Sequence, residues 1–293
     1  MSALWIDDAR LQLPRDASPA SVYDHILSLP AVRISAQTLI EQGDPFSLVL
    51  SQRGLYVFQR EWAACPPGRD IIIGSDGATT CHILLAVSPI ASFCAHLDGA
   101  PGQILALMPV LRHTFGTKND APKSIDLHIA GGMDDRVSRE LGIELLTALH
   151  CVEKDWPTAR LRLRSCCVGP LNSFQRGSIS LPAVRALAWD IAGRRLIVNG
   201  WFGDKGPQPM HRAAYSLAGT RPLVCSYDAD SGQHVFGPEH RLEPPPSGWL
   251  DWLLSLDDEQ LLRNASTSPH AEHGSFCAEM RDTLRYLRSC RGE

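Results

Sequence analysis

The sequence predicts a layered α+β fold, and three observations predict it. Short apolar runs with strand character lie next to one another along the chain rather than alternating with helices, which disfavours a doubly wound parallel sheet. Two of these runs, residues 81–87 and 91–97, are separated by a tight proline-containing turn, the signature of a hairpin. Helical periodicity is confined to a few stretches. It is clearest at residues 134–150, where Val137, Leu141, Leu145 and Leu149 recur at i, i+4.

Taken in order, residues 1–45 mix short apolar pieces with Pro14, Pro19, Pro30 and Pro45, the pattern of a wrapping N-terminal segment with one or two short helices. Strand-like runs follow at 47–49, 54–59, 70–73, 81–87, 91–97 and 125–130, the last ending in Gly131-Gly132. That glycine pair lacks the Gly-x-Gly-x-x-Gly and Walker spacings, so it reads as a tight strand-to-helix turn. Asp134 or Asp135 supplies the cap of the helix that follows. Further strands are expected at 158–168, 184–190 and 195–199. A glycine- and proline-rich loop at 203–209 then leads to a short helix at 210–217. Residues 223–228 and 234–236 form a hairpin around Asp230-Ser231-Gly232. Pro244-Pro245-Pro246 is a rigid spacer before helices at 249–256 and 258–264. A polar loop at 265–272 precedes a closing helix with Phe276, Met280, Leu284 and Leu287 on one face. No internal repeat occurs, and residues 1–293 are expected to form a single domain.

Composition narrows the function classes. With 293 residues, 44% hydrophobic and 20% charged, the chain can bury a sizeable core like ordinary globular proteins. A net charge of −4 argues against a nucleic-acid footprint, which needs a clustered basic face. The basic run Arg160-Leu161-Arg162-Leu163-Arg164 alternates with leucine and reads as an edge strand with one charged face. No eighteen-residue apolar stretch is present, so no membrane span is expected. The N-terminus carries Asp7-Asp8 where a signal peptide would be basic and then apolar. The nine cysteines are scattered without Cys-x-x-Cys, so neither a disulfide framework nor a thiolate zinc site is expected; a reducing compartment follows, cytoplasmic and/or nuclear. Cys166-Cys167 and the histidines lack metal-ligand spacing; no metal and no cofactor is expected, and the chain is expected to be a monomer.

Cys81 and His96 carry the chemistry. If the hairpin closes around Ser88-Pro89, residue 87 lies opposite 90 and Cys81 opposite His96, with Cβ atoms about 5 Å apart on one face. A free thiol titrates near 8.5 and is mostly protonated at neutrality; an adjacent imidazole takes its proton, holds the thiolate as an ion pair and can then protonate a leaving amine or ammonia. The competing reading is that Cys81 is a small buried hydrophobe and that nine cysteines and eleven histidines place one such pair by chance. The hydroxyl-rich approach Ser75-Asp76-Gly77-Ala78-Thr79-Thr80 favours the catalytic reading, since a purely structural strand has little use for it. By strand alternation His82 points to the other face as a structural side chain. Cys94 shares the face of His96 as a buried neighbour.

Several segments together resemble a known family. They are Leu55-Tyr56-Val57-Phe58-Gln59-Arg60-Glu61, Gly74-Ser75-Asp76-Gly77-Ala78-Thr79-Thr80-Cys81-His82, His96-Leu97-Asp98-Gly99, His128-Ile129-Ala130-Gly131-Gly132-Met133-Asp134-Asp135-Arg136, Ser226-Tyr227-Asp228-Ala229, and Ser266-Thr267-Ser268-Pro269 with Glu272. From about residue 47 to the end the chain is similar to the protein N-terminal asparagine amidohydrolases of the N-degron pathway. The resemblance implies an α-β-β layered sandwich like that of cytotoxic necrotizing factor and chemoreceptor deamidases. It implies hydrolysis of the side-chain amide of an N-terminal asparagine to aspartate and ammonia.

It further implies a Cys-His-Ser triad in which Cys81 and His96 match directly. Ser75, Ser266 and Ser268 all sit in matching motifs, and Ser266 is taken as the third catalytic member. Ser75, Asp76, Thr80, Ser268 and Glu272 are then expected to contact substrate. Backbone N–H groups near Thr80 or Cys81 would meet the oxyanion, and Glu272 or Asp76 would meet the substrate α-ammonium. As structural residues, Glu272 would favour a helix dipole from its first turn and Asp76 would sit in a turn after Gly74. Trp201, Phe202 and Trp249 could line a pocket for the second substrate residue. Two other functions fit the same residues: deamidation of a different amide such as an internal glutamine, and a catalytically silent module that binds N-termini.

Overall fold

The computed structural model describes residues 3–13, 17–42, 54–116, 123–152, 156–200 and 202–291. The strand expected at 47–49 lies outside the described residues. In chain order the elements begin with β1 (Leu4–Ile6), β2 (Ala9–Arg10), α1 (Pro19–Ser28), α2 (Pro30–Gln42), β3 (Gly54–Tyr56) and β4 (Glu61–Cys65). Next come β5 (Ile72–Ser75), β6 (His82–Val87), β7 (Ser92–Leu97), α3 (Gln103–Phe115), β8 (Lys123–Gly131), α4 (Arg136–Cys151) and β9 (Ala159–Val168). The rest comprises β10 (Ser173–Arg176), β11 (Ile179–Pro182), β12 (Leu187–Asp190), β13 (Arg195–Val198), α5 (Pro209–Ala218) and β14 (Val224–Cys225). Last are β15 (Tyr227–Asp228), β16 (Gln233–His234), α6 (Ser247–Ser255), α7 (Asp258–Ala265) and α8 (Phe276–Ser289).

Strand alternation distributes these residues between two apolar layers. A mixed eight-stranded sheet runs β14-β4-β7-β6-β8-β9-β1-β2, and a four-stranded sheet runs β13-β12-β5-β3. Leu84, Phe93, Leu127 and Ile129 project from the large sheet onto Ile26 of α1, Leu107 of α3 and Leu145 of α4. Their neighbours Ile83, Leu85, Cys94 and Ala130 project the other way, onto Ile73, Leu187 and Val198 of the small sheet. Helices, large sheet and small sheet therefore stack in that order. The architecture is an α+β sandwich of the α-β-β kind. Burial of both faces explains why β6 reads as an unbroken apolar run instead of alternating with polar residues.

The β6–β7 hairpin differs from its expected register. His82 pairs with Leu97, Ile83 with His96 and Val87 with Ser92, and the Ser88 N–H donates to the Ala91 carbonyl at 2.9 Å. The turn is therefore centred on Pro89-Ile90, not on Ser88-Pro89. Proline favours the second position of a β-turn and is disfavoured at the third, where it would force the preceding residue out of its helical conformation. Moving the centre by one residue moves the register by two, which leaves every side chain on its expected face. A second difference concerns residues 160–164. They lie in β9, which pairs with β8 on one side and with β1 on the other through Leu4↔Leu161 and Trp5↔Arg162. The N-terminal residues cover what would have been an edge. Its charged face is as expected: Arg162 and Arg164 both bond Asp126 of β8.

The four C-terminal helices form a separate small core from Ala214, Ala218, Leu250, Leu253, Leu284 and Leu287. A buried ion pair fastens it to the sheets. Arg212 of α5 and Glu61 of β4 are each 1% exposed, and the guanidinium grips both carboxylate oxygens, at 2.9 Å to Oε1 and 2.7 Å to Oε2. The remaining donors reach the Tyr56 carbonyl at 2.6 Å and the Lys205 carbonyl at 2.7 Å, while Oε2 also accepts from the Phe58 N–H at 3.0 Å. Such a pair balances its desolvation only while every partner stays in place. Arg212→Ala strands a buried carboxylate and is expected to cost about 3–5 kcal/mol, read as a lower denaturation midpoint. Joint replacement of Glu61 and Arg212 by leucine should recover most of that loss. A single-variant cost under about 1 kcal/mol would mean that the pair does not hold the two parts together.

Candidate active site

Cys81 stands immediately before β6, at the end of the loop that leaves β5, and His96 lies in β7 opposite Ile83. Residues 81 and 83 are two apart, so they share a face with His96, and Cys81 takes the diagonal position rather than the directly opposed one. Diagonal neighbours remain within reach of long side chains. Both residues are nearly enclosed, Cys81 at 6% and His96 at 2% exposure. Both line one cavity of about 760 Å³ that opens between the sheets and the C-terminal helices.

The hydroxyl of Ser75, the last residue of β5, fixes the state of the ring. Ser75 Oγ donates its only proton to the Val57 carbonyl at 2.5 Å and lies 2.7 Å from His96 Nδ1. With the proton already committed, Oγ can only accept, so Nδ1 carries the ring hydrogen and Nε2 presents a lone pair. Among the described residues Nε2 is buried and has no hydrogen-bond partner. A neutral imidazole with a bare Nε2, lining the same cavity as the Cys81 thiol, offers the lone pair that a general base uses. The ring is thus held by Ser75 and not by Ser266, the serine expected for that place. Ser266 instead bonds Glu272 and accepts from the Ser268 N–H at 2.9 Å. Ser75, expected to contact substrate, is fully buried beneath the ring.

The loop carrying Cys81 is clamped from three sides. Gly131 lies against it with φ +108; a Cβ there would sit 2.5 Å from the Cys81 carbonyl oxygen and 2.9 Å from Ala78 Cβ. The Gly-Gly turn is therefore a requirement of close backbone approach. From α4, whose cap Asp135 accepts from the Ser138 N–H, the Ser138 hydroxyl lies 2.7 Å from Asp135 Oδ2 and 3.2 Å from the Thr80 carbonyl, with one proton shared between the two acceptors. From the polar loop after α7, Ser268 Oγ bonds Thr79 Oγ1 at 2.8 Å and Thr267 Oγ1 lies 2.9 Å from Thr80 Oγ1. Glu272 anchors this loop through its Oε1, and Arg185 donates to the Ala271 carbonyl at 3.0 Å. Asp76 accepts from Tyr56 Oη at 2.8 Å and from the Phe202 N–H at 3.1 Å. Asp76, Thr80 and Glu272 line the cavity with Cys81 and His96; Ser268 lies buried behind them. Phe202 also lines it, whereas Trp249 is exposed on α6 and Trp201 lies outside the described residues.

Two residues without an expected role join the site. Asp98, two residues beyond His96, pairs with Arg60 at 2.8 Å, and the Arg60 N–H donates to the His96 carbonyl at 3.0 Å. The signal was present in the segment His96-Leu97-Asp98, because a residue two beyond the histidine returns to its face as the strand ends. Burial, followed by the carboxylates of Asp98 and Glu272, pushes the Cys81 thiol well above its ordinary range, while the Thr80 hydroxyl and Arg60 oppose them. Burial and then His82 bring His96 down to about 3. Both shifts favour an uncharged resting pair, so the thiolate–imidazolium pair expected from sequence is not the resting state that this enclosure favours. Burial likewise raises Asp76 and Glu272 above the usual carboxylate range. Among the described residues no group of three His, Cys, Asp or Glu side chains is arranged to hold a metal ion.

Comparison with known proteins gives a consistent family. A family model described as protein N-terminal asparagine amidohydrolase matches residues 45–291. The chain is similar to the human protein named protein N-terminal asparagine amidohydrolase, at 32% identity over 293 residues covering 97% of this chain and 88% of that protein. The mouse protein of the same name is 31% identical over the same shares. The Arabidopsis thaliana protein of that name is 25% identical over 269 residues, 80% of this chain and 73% of its own length.

Enclosure of the histidines has a measurable consequence. Burial lowers His82 to about 4 and His96 to about 3, so the unfolded chain binds protons that the folded rings refuse. Stability contributed by these rings is present above their unfolded pKa of about 6.5 and is lost as pH falls toward the folded values. The raised carboxyls of Asp76 and Glu272 act in the opposite direction, so the isolating comparison is a variant. In His82→Asn, the stability lost between pH 7.5 and pH 5 should shrink by about 2 kcal/mol relative to the parent chain, measured by urea unfolding at both values. An unchanged difference would mean that His82 titrates normally in the fold.

Proposed function

The chain belongs to the protein N-terminal asparagine amidohydrolase family, and from that membership we propose that it hydrolyses the side-chain amide of an N-terminal asparagine in peptides and proteins. The product is an N-terminal aspartate, a secondary destabilising residue in the N-degron pathway, together with ammonia. The observation that carries this reading is the Ser75–His96 bond, which leaves His96 Nε2 bare in the cavity that Cys81 also lines.

In the proposed cycle the resting thiol and imidazole are neutral. As sulfur attacks the carboxamide carbon, Nε2 takes the thiol proton, so charge separates only during the step that uses it. Backbone N–H groups near Thr80 and Cys81 receive the developing oxyanion, each such donor typically contributing about 3 kcal/mol. The C–N bond breaks as the imidazolium returns its proton to the departing nitrogen, which leaves as ammonia from a thioester. Water then gives a proton to Nε2 and its oxygen to the acyl carbon, and the thiol is restored. The Ser75 hydroxyl keeps the ring in the productive tautomer throughout, as the third member does in other triads.

The α-ammonium of an N-terminal asparagine lies only three bonds from the carbon under attack, so its reader must stand near the sulfur. Glu272 suits this better than Asp76. The Glu272 carboxylate is close enough to act on the Cys81 charge, while both oxygens of Asp76 already accept hydrogen bonds from Tyr56 and Phe202. In this reading Asp76 shapes the cavity wall and Glu272 meets the ammonium.

Peptides beginning Asn, Gln and Asp, and one with only an internal Gln, test the reading through ammonia release and product mass. Release is expected from the Asn peptide alone, and Cys81→Ala should abolish it. Ser75→Ala is expected to lower kcat at least about 10-fold, and Glu272→Gln to raise KM more than it lowers kcat. Turnover by Cys81→Ala, or release from internal Gln only, would overturn the assignment; tight binding of Asn peptides without ammonia would indicate a silent binding module.

A further inference from the structure

A second cavity, of about 450 Å³, lies at the opposite end of the sandwich from Cys81, beside the turn of the β6–β7 hairpin. Cys81 and Val87, which lines this cavity, are six residues apart, about 20 Å along a strand. Both sheets supply its walls. Asp126 and His128 of β8 and Arg162 of β9 come from the large one, and Trp189 of β12 and Arg194 after it from the small one. His128 opens one of the motif segments, yet it stands outside the active site.

Two features of this cavity point to a ligand. The first is a flat surface that bridges the layers. The His128 and Trp189 rings are nearly parallel, with 22° between their planes and centroids 6.1 Å apart. Ser165 Oγ, 2.9 Å from Nδ1, fixes the imidazole. Such a surface accepts a further flat ring by stacking. The second feature is unbalanced positive charge. Asp126 takes Arg162 through both oxygens, at 2.6 and 2.9 Å, and also takes Arg164 at 2.9 Å. Two guanidiniums therefore share one carboxylate. Asp190, near by in sequence, is matched by Arg195. Arg194 is exposed at the rim and has no partner among the described residues.

We propose that this cavity binds a small organic anion that carries a flat ring. The anionic group meets Arg194 and the terminal nitrogen of Arg162 that Asp126 leaves uncommitted, because a guanidinium pairs well with carboxylate or phosphate. The ring extends the Trp189–His128 stack. The volume suits a molecule of mononucleotide size.

Isothermal titration calorimetry at low ionic strength tests this with phenyl phosphate, adenosine 5′-monophosphate and benzoate, against adenosine and inorganic phosphate. At least one ringed anion is expected to bind one per chain with a Kd of about 1 mM or tighter. Adenosine and inorganic phosphate, each lacking half of the recognised chemistry, should bind at least about 10-fold more weakly. Phenyl phosphate above benzoate assigns the anionic group as a phosphate ester, and the reverse order assigns a carboxylate. Arg194→Glu and Trp189→Leu should each weaken the ringed anion about 10-fold or more. Arg194 is exposed, so its variant reads the site even if Trp189→Leu impairs folding. Ammonia release from Asn peptides should be unchanged in Arg194→Glu. Absence of saturable binding by every ringed anion overturns the proposal, as does an affinity that neither variant alters. Displacement of the anion by an Asn peptide on Cys81→Ala protein would place it in the catalytic cavity and overturn it equally.

Discussion

One hydroxyl proton sets the direction of the whole site. Ser75 gives it to the Val57 carbonyl, accepts from His96 Nδ1, and so leaves Nε2 as the free base. Ser75 ends β5 in the small sheet, whereas His96 lies within β7 in the large one. The bond therefore crosses between the layers, and the chemistry depends on how the two sheets are stacked as much as on either alone. That stacking comes from apolar side chains such as Ile73, Leu85, Cys94 and Leu187, which interlock between the sheets. The core between the sheets is what holds the ring tautomer.

The same enclosure works against charge. A buried thiol resists losing its proton and a buried imidazole resists gaining one, so the pair is held neutral until a reaction separates the charges. Near Cys81, Asp98 and Glu272 deepen this effect; both carboxylates are tied into local networks, one to Arg60 and one to the hydroxyls of Ser266 and Ser268. A positively charged substrate group near Glu272 would cancel part of the negative field at the sulfur. Binding and activation are linked in that case, because the group that identifies the substrate also eases formation of the thiolate.

Much of this was legible in the chain. Alternation placed Cys81, His96 and Cys94 on one face and His82 on the other, because a period of two survives an error of two in register. The register itself differs by two residues, since the turn position of Pro89 outranks the apparent symmetry of the two runs. Sequence does not separate the third member: Ser75, Ser266 and Ser268 are all motif serines, Ser266 is the expected one, and the stacking of β5 on β7 puts Ser75 on the ring instead. The Glu61–Arg212 pair spans 151 positions and leaves no local pattern, and the cover that β1 gives to β9 depends on a parallel pairing that three residues cannot announce.

The division of labour within the fold follows from these distances. β5, the loop before β6, and β7 supply the serine, the thiol and the imidazole, all within residues 75–96, where short loops and ladder pairing fix their relative positions. Tyr56, Phe58, Arg60, Val137 and Arg185 line part of the remaining cavity, and the rest of its wall comes from residues 202–217 and 265–283, which belong to loops and helices anchored by Arg212 and by the Thr79–Ser268 and Thr80–Thr267 bonds. Those anchors join the second group to the first at two points, behind the cavity at Glu61 and beside the sulfur at Thr79–Thr80. Changes in the outer helices therefore reshape the cavity wall without moving the Ser75–His96 bond, whereas a change in sheet stacking moves the ring itself.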